Sequence, residues 1–159
     1  MLHFDLKARL VASVVVFGGI GTFVAPSFGI GVPLLMRNTG NSMPRGFYVW
    51  HHAPPATRGE VIVVRDPAHF RWSWLMKRVV GIAGDRFCWR PDMGTHFVGT
   101  SRMPPPSPEA LALGLRPWLG CRLLEGGEVV GYGASADSYD SRYLGPIRET
   151  QLWGIYRQL

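Results

Sequence analysis

A long uncharged segment near the N-terminus constrains the folding of this chain more than any other feature. No Asp, Glu, Lys or Arg occurs at positions 10–36. A helix over about residues 8–28, kinked at Pro26, would approach the roughly 20 residues that a bilayer crossing needs. We therefore predict one N-terminal transmembrane helix, within a segment 10–36 that also includes a juxtamembrane part.

The charges that flank this segment predict its orientation. Lys7 and Arg9 come before the apolar run, and positive residues favour the cytoplasmic side of a membrane. We expect residues 1–9 to be cytoplasmic and residues 37–159 to form a periplasmic domain. The predicted localisation is thus a bacterial inner membrane, crossed once.

A cleavable signal peptide is the alternative interpretation of the same segment. Ala25 and Ser27 are small residues at the spacing that a cleavage site requires. Cleavage there would leave a soluble periplasmic domain. The apolar run continues well past these two residues, which favours the anchor.

The composition of the 159-residue chain favours a β-rich domain. Thirteen prolines and twenty glycines argue against a helical bundle, because both residues interrupt helices. The net charge of +6 permits nucleic acid or an anionic membrane as partner. The basic residues are scattered and never form a run of five, so we predict contact with membrane lipids and no nucleic-acid binding.

Short β-branched and aromatic runs, separated by turn residues, predict the strands. An irregular insertion is expected at about 90–120, with a short helix at 109–115. The predicted strands cover residues 47–50, 59–65, 70–80, 86–89, 122–124, 128–132 and 152–157.

The strand predicted at 70–80 carries both an aromatic stripe and a lysine. Alternation places Lys77 on the face that also holds Leu75 and Val79. The stripe on the other face is expected to pack in the core or to touch lipid, since tryptophan favours membrane interfaces. Its members are Phe70, Trp72, Trp74 and Met76.

The two cysteines, Cys88 and Cys121, stand at the ends of the predicted insertion. They are too few for a zinc site and lack the CxxC spacing. In a reducing compartment they would be inert core residues, whereas outside the cytoplasm they could pair as a disulfide.

The pair His51-His52 is the other candidate for metal binding. No Cys and no acidic cluster flanks it, so a solvated loop explains it better. We predict no metal site.

Ser42 and Lys77 are the residues to which we assign the chemistry. A serine hydroxyl is a weak nucleophile until a base removes its proton, and a desolvated lysine can be that base. Ser42 lies in a turn just after the apolar segment, and Lys77 lies inside the strand predicted as buried. The pair predicts a membrane-anchored serine endopeptidase.

Four sequence boxes resemble the type I signal peptidase family, in the order that the family shows. They are Ser42–Pro44, Arg58–Val64, Lys77–Asp85 and Asp137–Gly145. The third box, Lys-Arg-Val-Val-Gly-Ile-Ala-Gly-Asp, is the most specific. The resemblance implies a mostly antiparallel β domain of the LexA/signal peptidase type, a serine-type peptidase activity on exported proteins, and no cofactor.

The details of the resemblance point to one branch of that family. The nucleophile box reads Ser-Met-Pro-Arg-Gly-Phe-Tyr, the anchor is single and the domain is small. These features look like the TraF-type peptidases of conjugative transfer, which process pilin subunits for type IV secretion. In some of them the pilin's own amine resolves the acyl-enzyme and yields a cyclic product.

The resemblance also implies roles for individual residues. Ser42 would be the nucleophile and Lys77 the base, with Ser138 orienting the lysine amine. Asp140 and Arg142 match a structural ion pair, and the TraF-type resemblance raises a direct catalytic role for Asp140.

The sequence identifies the donors of the oxyanion hole less clearly than it identifies the nucleophile and the base. The Ser42 backbone N–H is a natural donor. Many leader peptidases add a hydroxyl two residues before the nucleophile, but this chain has Gly40 there. Thr39 or Asn41 could take its place.

Three other functions are compatible with parts of this pattern. One is a general leader peptidase that cleaves the signal peptides of many secreted proteins. A second is a classical triad with a histidine base, and the third is a membrane-anchored pilus or secretion assembly protein without activity. The histidine candidates are His51, His52, His69 and His96.

Overall fold

The structure is a computed structural model that describes residues 32–65 and 74–159. The predicted cytoplasmic segment 1–9 and the predicted helix at about 8–28 lie outside the described residues. Among the described residues, no helix has the length and apolar character needed to cross a membrane.

Strands are the main regular secondary structure of the described chain, and every strand pair is antiparallel. Two short helices, α1 (Pro108–Ala112) and α2 (Ser141–Leu144), and one 3-10 turn (Glu149–Gln151) interrupt the strands. The strands are β1 (Leu35–Asn38), β2 (Gly46–His52), β3 (Val61–Arg65), β4 (Trp74–Gly81), β5 (Arg86–Arg90), β6 (Thr95–Val98), β7 (Ser101–Arg102), β8 (Cys121–Leu123), β9 (Glu128–Tyr132), β10 (Ile147–Arg148) and β11 (Leu152–Gln158).

The strands form two sheets. The larger has seven strands in the order β1-β2-β11-β3-β4-β9-β10, and the smaller has four in the order β7-β6-β5-β8. The C-terminal strand β11 pairs with both β2 and β3, so the end of the chain completes the centre of the larger sheet. This pairing joins the segment around Ser42 to the strand that carries Lys77.

Alternation along β3 and β4 explains why the larger sheet has a core on each face. Leu75 and Val79 pack with Ile62 in one apolar cluster, whereas Met76 packs with Val63 in another. A third cluster, built around Phe87, fills the junction with the smaller sheet. The lysine side chain of β4 therefore enters an apolar layer.

The mostly β, antiparallel fold predicted from the sequence is confirmed. The aromatic stripe is described only from Trp74 onward, and Trp74 packs half-buried against the Met76 cluster. Phe70 and Trp72 lie outside the described residues.

The segment 90–120 is more regular than the sequence analysis predicted. Residues 95–98 and 101–102 form the antiparallel hairpin of β6 and β7. The run Thr-His-Phe-Val is too short, and too closely flanked by glycine and proline, for its strand pattern to stand out. The predicted helix at 109–115 is shorter and begins one residue earlier, with the Ser107 hydroxyl as its N-cap.

A disulfide joins Cys88 to Cys121 across neighbouring strands of the smaller sheet. The two residues lie directly opposite each other on β5 and β8. The bridge closes the chain segment between them, which contains β6, β7 and α1. It therefore ties that segment to the sheet at both ends.

We expect the double substitution Cys88→Ala, Cys121→Ala to lower the free energy of unfolding by roughly 3–4 kcal/mol, because the unfolded chain regains the freedom of a long loop. Urea denaturation of the two proteins measures this. Reduced wild-type protein is the matched control and should unfold at the same urea concentration as the double variant. Equal midpoints for oxidised wild type and the double variant would contradict the prediction.

Candidate active site

The turn between β1 and β2 presents Ser42, and one buried amide holds the turn closed. Asn38 Nδ2 donates hydrogen bonds to the carbonyl oxygens of Met43 at 2.8 Å and Pro44 at 3.0 Å. Its Oδ1 accepts from the Gly40 amide at 3.2 Å. A single side chain thus fastens both sides of the turn, and Ser42 is left half-exposed at its tip.

Lys77 lies in the middle of β4, opposite Ile62 of β3. Its side chain points to the same face as Leu75 and Val79, which belong to the apolar core. Only 3% of the lysine is exposed to solvent. The strand pattern directs this amine towards the core, because the residues on either side of it on that face are apolar.

The lysine amine meets two serine hydroxyls from distant parts of the chain. Lys77 Nζ lies 2.9 Å from Ser138 Oγ and 3.3 Å from Ser42 Oγ, and it donates a hydrogen bond to each. The Ala134 amide also donates to the Ser42 carbonyl oxygen at 2.7 Å. The segment after β9 is therefore attached to the turn that holds Ser42.

Burial lowers the pKa of Lys77 from 10.5 to about 8, because water is not available to solvate the ammonium ion. The Asp140 carboxylate acts in the opposite direction, and the Arg142 guanidinium lowers the pKa further. At pH 7 a group with a pKa of 8 is deprotonated in about one molecule in eleven, against about one in 2,500 for an ordinary lysine. This site therefore keeps a usable fraction of free amine near neutral pH.

Two glycines give the lysine and the serines room to meet. A Cβ added at Gly131 would lie 3.1 Å from Lys77 Cβ. A Cβ added at Gly133 would lie 2.7 Å from Ser42 Cβ and still closer to the Ser138 hydroxyl. Only a residue without a side chain fits at Gly133, between the two serines.

Behind these residues lies an ion pair that is fully buried, between Asp140 and Arg142. Arg142 Nε donates to Asp140 Oδ1 at 2.9 Å, and Nη2 donates to Oδ2 at 3.0 Å. The carboxylate also accepts from the backbone amides of Gly133 at 3.0 Å and Arg142 at 3.1 Å. Asp140 has no hydrogen bond with Lys77 or Ser42.

The guanidinium of Arg142 also fastens the surrounding loops. It donates to the carbonyl oxygens of Ser135 and Ser138 at 3.1 Å each, and to that of Pro105 at 3.2 Å. Its charge lies over the rings of Tyr132 and Tyr143. Because one of these bonds ends on the Ser138 backbone, the ion pair sets the position of the Ser138 hydroxyl beside the lysine.

The side chains considered for the oxyanion hole differ in their contacts. Asn41 is exposed, and its Oδ1 accepts from Arg45 Nη2 at 2.7 Å. Thr39 makes no side-chain hydrogen bond with another described residue. The Ser42 backbone N–H lies at the tip of the turn.

The described histidines are engaged away from Ser42, and none hydrogen-bonds to it. His69 lies outside the described residues. The contacts of the other three are His51 with Arg157 at 2.9 Å, His52 with Glu60 at 3.1 Å, and His96 with the Trp118 carbonyl at 2.7 Å. Residues 32–65 and 74–159 also contain no cluster of His, Cys, Asp or Glu suited to a metal ion.

The structure adds three residues that the sequence analysis did not single out. Asn38 closes the turn that holds Ser42, Gly133 makes space between the serines, and the Ser141 hydroxyl accepts from the Gly131 amide at 2.9 Å. The spacing Gly131-Tyr-Gly133 after an apolar strand was a usable signal, because alternating glycines on one face indicate close approach of another chain segment. No comparable signal marks Asn38.

The arrangement can activate a hydroxyl group. A neutral Lys77 amine at 3.3 Å from Ser42 Oγ is within reach of the hydroxyl proton, allowing for the looser distances of substrate-free sites. Ser138 holds the amine from the other side. An acyl or amide carbon next to Ser42 is the group that such a nucleophile attacks.

Comparison with known proteins shows the family to which the chain belongs. A signal peptidase I from Enterococcus faecalis, known from its crystal structure, is 18% identical, with a TM-score of 0.41 over 65% of this chain and 97% of that one. A search of curated proteins gave no match. The family described as "Signal peptidase, peptidase S26" matches residues 6–158, which is nearly the whole chain. The protein therefore belongs to the S26 signal peptidases, a family of serine peptidases.

Proposed function

We propose that the protein is a membrane-bound serine endopeptidase in which Ser42 and Lys77 form the catalytic dyad. One observation carries this proposal: a buried lysine amine, its pKa lowered to about 8, lies within 3.3 Å of one serine hydroxyl and 2.9 Å of another. Burying a lysine costs stability, and pairing it with hydroxyls rather than a carboxylate gains little back. That cost is explained if the free amine is needed as a base.

The reaction follows from the positions of these groups. Ser42 Oγ attacks the scissile carbonyl carbon while its proton passes to neutral Lys77. The carbonyl oxygen becomes an oxyanion, to which the Ser42 backbone N–H donates. The Lys77 ammonium then protonates the leaving amine, and an ester to Ser42 remains.

The ester is resolved by a second attack on the same carbon. With water as nucleophile, Lys77 takes a proton from the water and the products are two linear peptides. With the substrate's own terminal amine as nucleophile, a peptide bond forms and the product is cyclic. We propose that Ser138 is a positioning residue in both steps, and that Asp140 and Arg142 hold the loop that carries it.

The substrate we propose is an exported precursor protein, specifically a conjugative pilin subunit. The support is the family membership together with the resemblance of Ser-Met-Pro-Arg-Gly-Phe-Tyr to the TraF-type branch. A general leader peptidase is the alternative supported by the family match itself. Incubation with a pilin precursor and with a generic signal-peptide precursor, followed by mass spectrometry, separates the two.

We also propose that the chain is attached to the bacterial inner membrane by one N-terminal helix. The uncharged segment 10–36, preceded by Lys7 and Arg9, supports this arrangement. It would place the catalytic domain in the periplasm, beside precursors that are still held in the same membrane. Carbonate extraction and protease accessibility of intact spheroplasts test the topology.

Ser42→Ala and Lys77→Met are each expected to lower kcat/KM for precursor cleavage by about 10³-fold or more, because nucleophile and base act as one unit. Quantitative mass spectrometry of the product measures this in the full-length protein in detergent. The double variant should be no worse than either single variant. Cleavage at the wild-type rate by either variant would refute the dyad.

The stability of Lys77→Met shows whether this variant is folded. The folded-state pKa of Lys77, about 8, is below that of an unfolded lysine, so the charged amine destabilises the fold at neutral pH, and this penalty disappears as the pH rises from 8 to above 10. Lys77→Met is therefore expected to unfold at a higher urea concentration than wild type at pH 7, with a free energy of unfolding larger by up to about 3 kcal/mol. A folded, more stable and inactive variant separates loss of chemistry from loss of structure.

Cleavage should depend on pH through the same group. Because the base must be neutral, kcat/KM is expected to rise about tenfold per pH unit below pH 8 and to level off above it. A pH–rate profile from pH 5.5 to 9.5 with a short peptide substrate measures this. A flat profile between pH 6 and 8 would exclude Lys77 as the titrating base.

Gly133→Ala is expected to lower kcat/KM by at least about tenfold, because its methyl group would displace Ser42 or Ser138 from the lysine. Gly126→Ala is the matched control, since a Cβ there would meet no atom within 4 Å. Both variants should fold, as circular dichroism can verify. Equal rates for the two variants would show that the serines tolerate the displacement.

A further inference from the structure

A concave site lies beside Arg78, and neither Ser42, Lys77 nor Ser138 lines it. Its volume is about 390 Å³, and it opens where β4, β9 and the turn before β3 approach β6 and β7 of the smaller sheet. Arg78 and Tyr132 are strand partners and both line it. Because Arg78 follows Lys77 along a strand, their side chains point to opposite faces, so this site is separate from the serines.

Three arginines, Arg58, Arg78 and Arg102, are among the residues that line this pocket. No acidic residue lines it. Arg58 is paired at one edge with Asp85 at 2.6 Å, whereas Arg78 donates only to the Gly59 carbonyl. The Arg102 side chain has no hydrogen bond or ion pair with any described residue. Arg78 and Arg102 therefore line the pocket without an acidic partner among the described residues.

The remaining lining is mostly apolar, with one hydroxyl from Ser101 and the Tyr132 ring. A purely inorganic anion would leave this surface uncovered, whereas an anion attached to an aliphatic group would cover it. Arginine forks bind phosphate through paired N–H donors, and several converging on one site suit a phosphate better than a single carboxylate. The apolar residues are Val79, Val80, Val98, Met103 and Pro104.

We propose that this pocket binds a phosphate group carried on an apolar molecule, and that the source is the headgroup of an anionic phospholipid. Arg102 and Arg78 would contact the phosphate oxygens, and the valines, Met103 and Pro104 would contact the glycerol and the first methylene groups. The net charge of +6 draws such a ligand to the protein. The proposal stands on the pocket alone and does not require the catalytic dyad.

The test is calorimetric titration of the full-length protein in neutral detergent with dihexanoyl phosphatidylglycerol, kept below its critical micelle concentration. Dihexanoyl phosphatidylcholine, glycerol phosphate, inorganic phosphate and a tetraglutamate peptide are titrated in parallel. Arg102→Gln is the main variant. Arg116→Gln is the matched control, because Arg116 is exposed, lies outside the pocket and carries the same charge.

We expect saturable binding of phosphatidylglycerol that is weakened at least about tenfold by Arg102→Gln and less than about twofold by Arg116→Gln. Losing one charge-assisted hydrogen bond corresponds to a change of that size. Arg78→Gln should act in the same direction as Arg102→Gln. Urea midpoints of all three variants establish that each is folded.

Each other outcome has a distinct meaning. Equal binding of glycerol phosphate and phosphatidylglycerol would overturn the lipid as source and keep the phosphate site. Tighter binding of tetraglutamate would overturn the phosphate chemistry in favour of an acidic peptide segment. No saturable binding, or equal weakening by Arg116→Gln, would overturn the site altogether. Ser42→Ala should bind like wild type, so failure of this proposal and failure of the proposed cleavage are observed separately.

Discussion

The buried ion pair between Asp140 and Arg142 is the interaction on which the rest of the site depends. Both residues are fully inaccessible to solvent, and their hydrogen bonds hold the neighbouring loops of the site in position. Removing one partner of such a pair leaves an uncompensated charge, which typically costs 3–5 kcal/mol. The pair connects the Gly133 amide and the Ser138 carbonyl, both in the loop between β9 and α2, to the Pro105 carbonyl in the loop before α1, so the two loops are correct only together.

Lys77, unlike Arg142, has no carboxylate within hydrogen-bond distance. Asp140 is close enough to raise the pKa of Lys77, but its oxygens are occupied by Arg142 and two backbone amides. If Asp140 bonded directly to Lys77, the ammonium form would be favoured and the amine would be a poor base at neutral pH. The arginine thus keeps the site neutral enough for a free amine while it orders the loop.

Much of the fold could be predicted from local sequence, because strand periodicity and turn residues act over a few positions. The strands at 61–65 and 128–132 follow from short β-branched runs, and the face on which Lys77 lies follows from alternation along β4. The hairpin of β6 and β7 and the short helix α2 could not be predicted this way. Both are too short to show a period, and they are stabilised by distant contacts, such as Thr95 with the Met103 carbonyl and Ser141 with the Gly131 amide.

The sequence by itself determined which residue types are available: a serine in a tight turn, a lysine on an apolar strand face, and an Asp-Ser-Tyr-Asp-Ser-Arg segment near the C-terminus. Only the tertiary structure decided that Lys77 lies between two serines, that Gly133 must lack a side chain, and that Arg58, Arg78 and Arg102 share one pocket. The physical reason is that pKa shifts, close approach and charge clustering arise between residues tens of positions apart. Folding brings such residues together, and no local pattern records their distance.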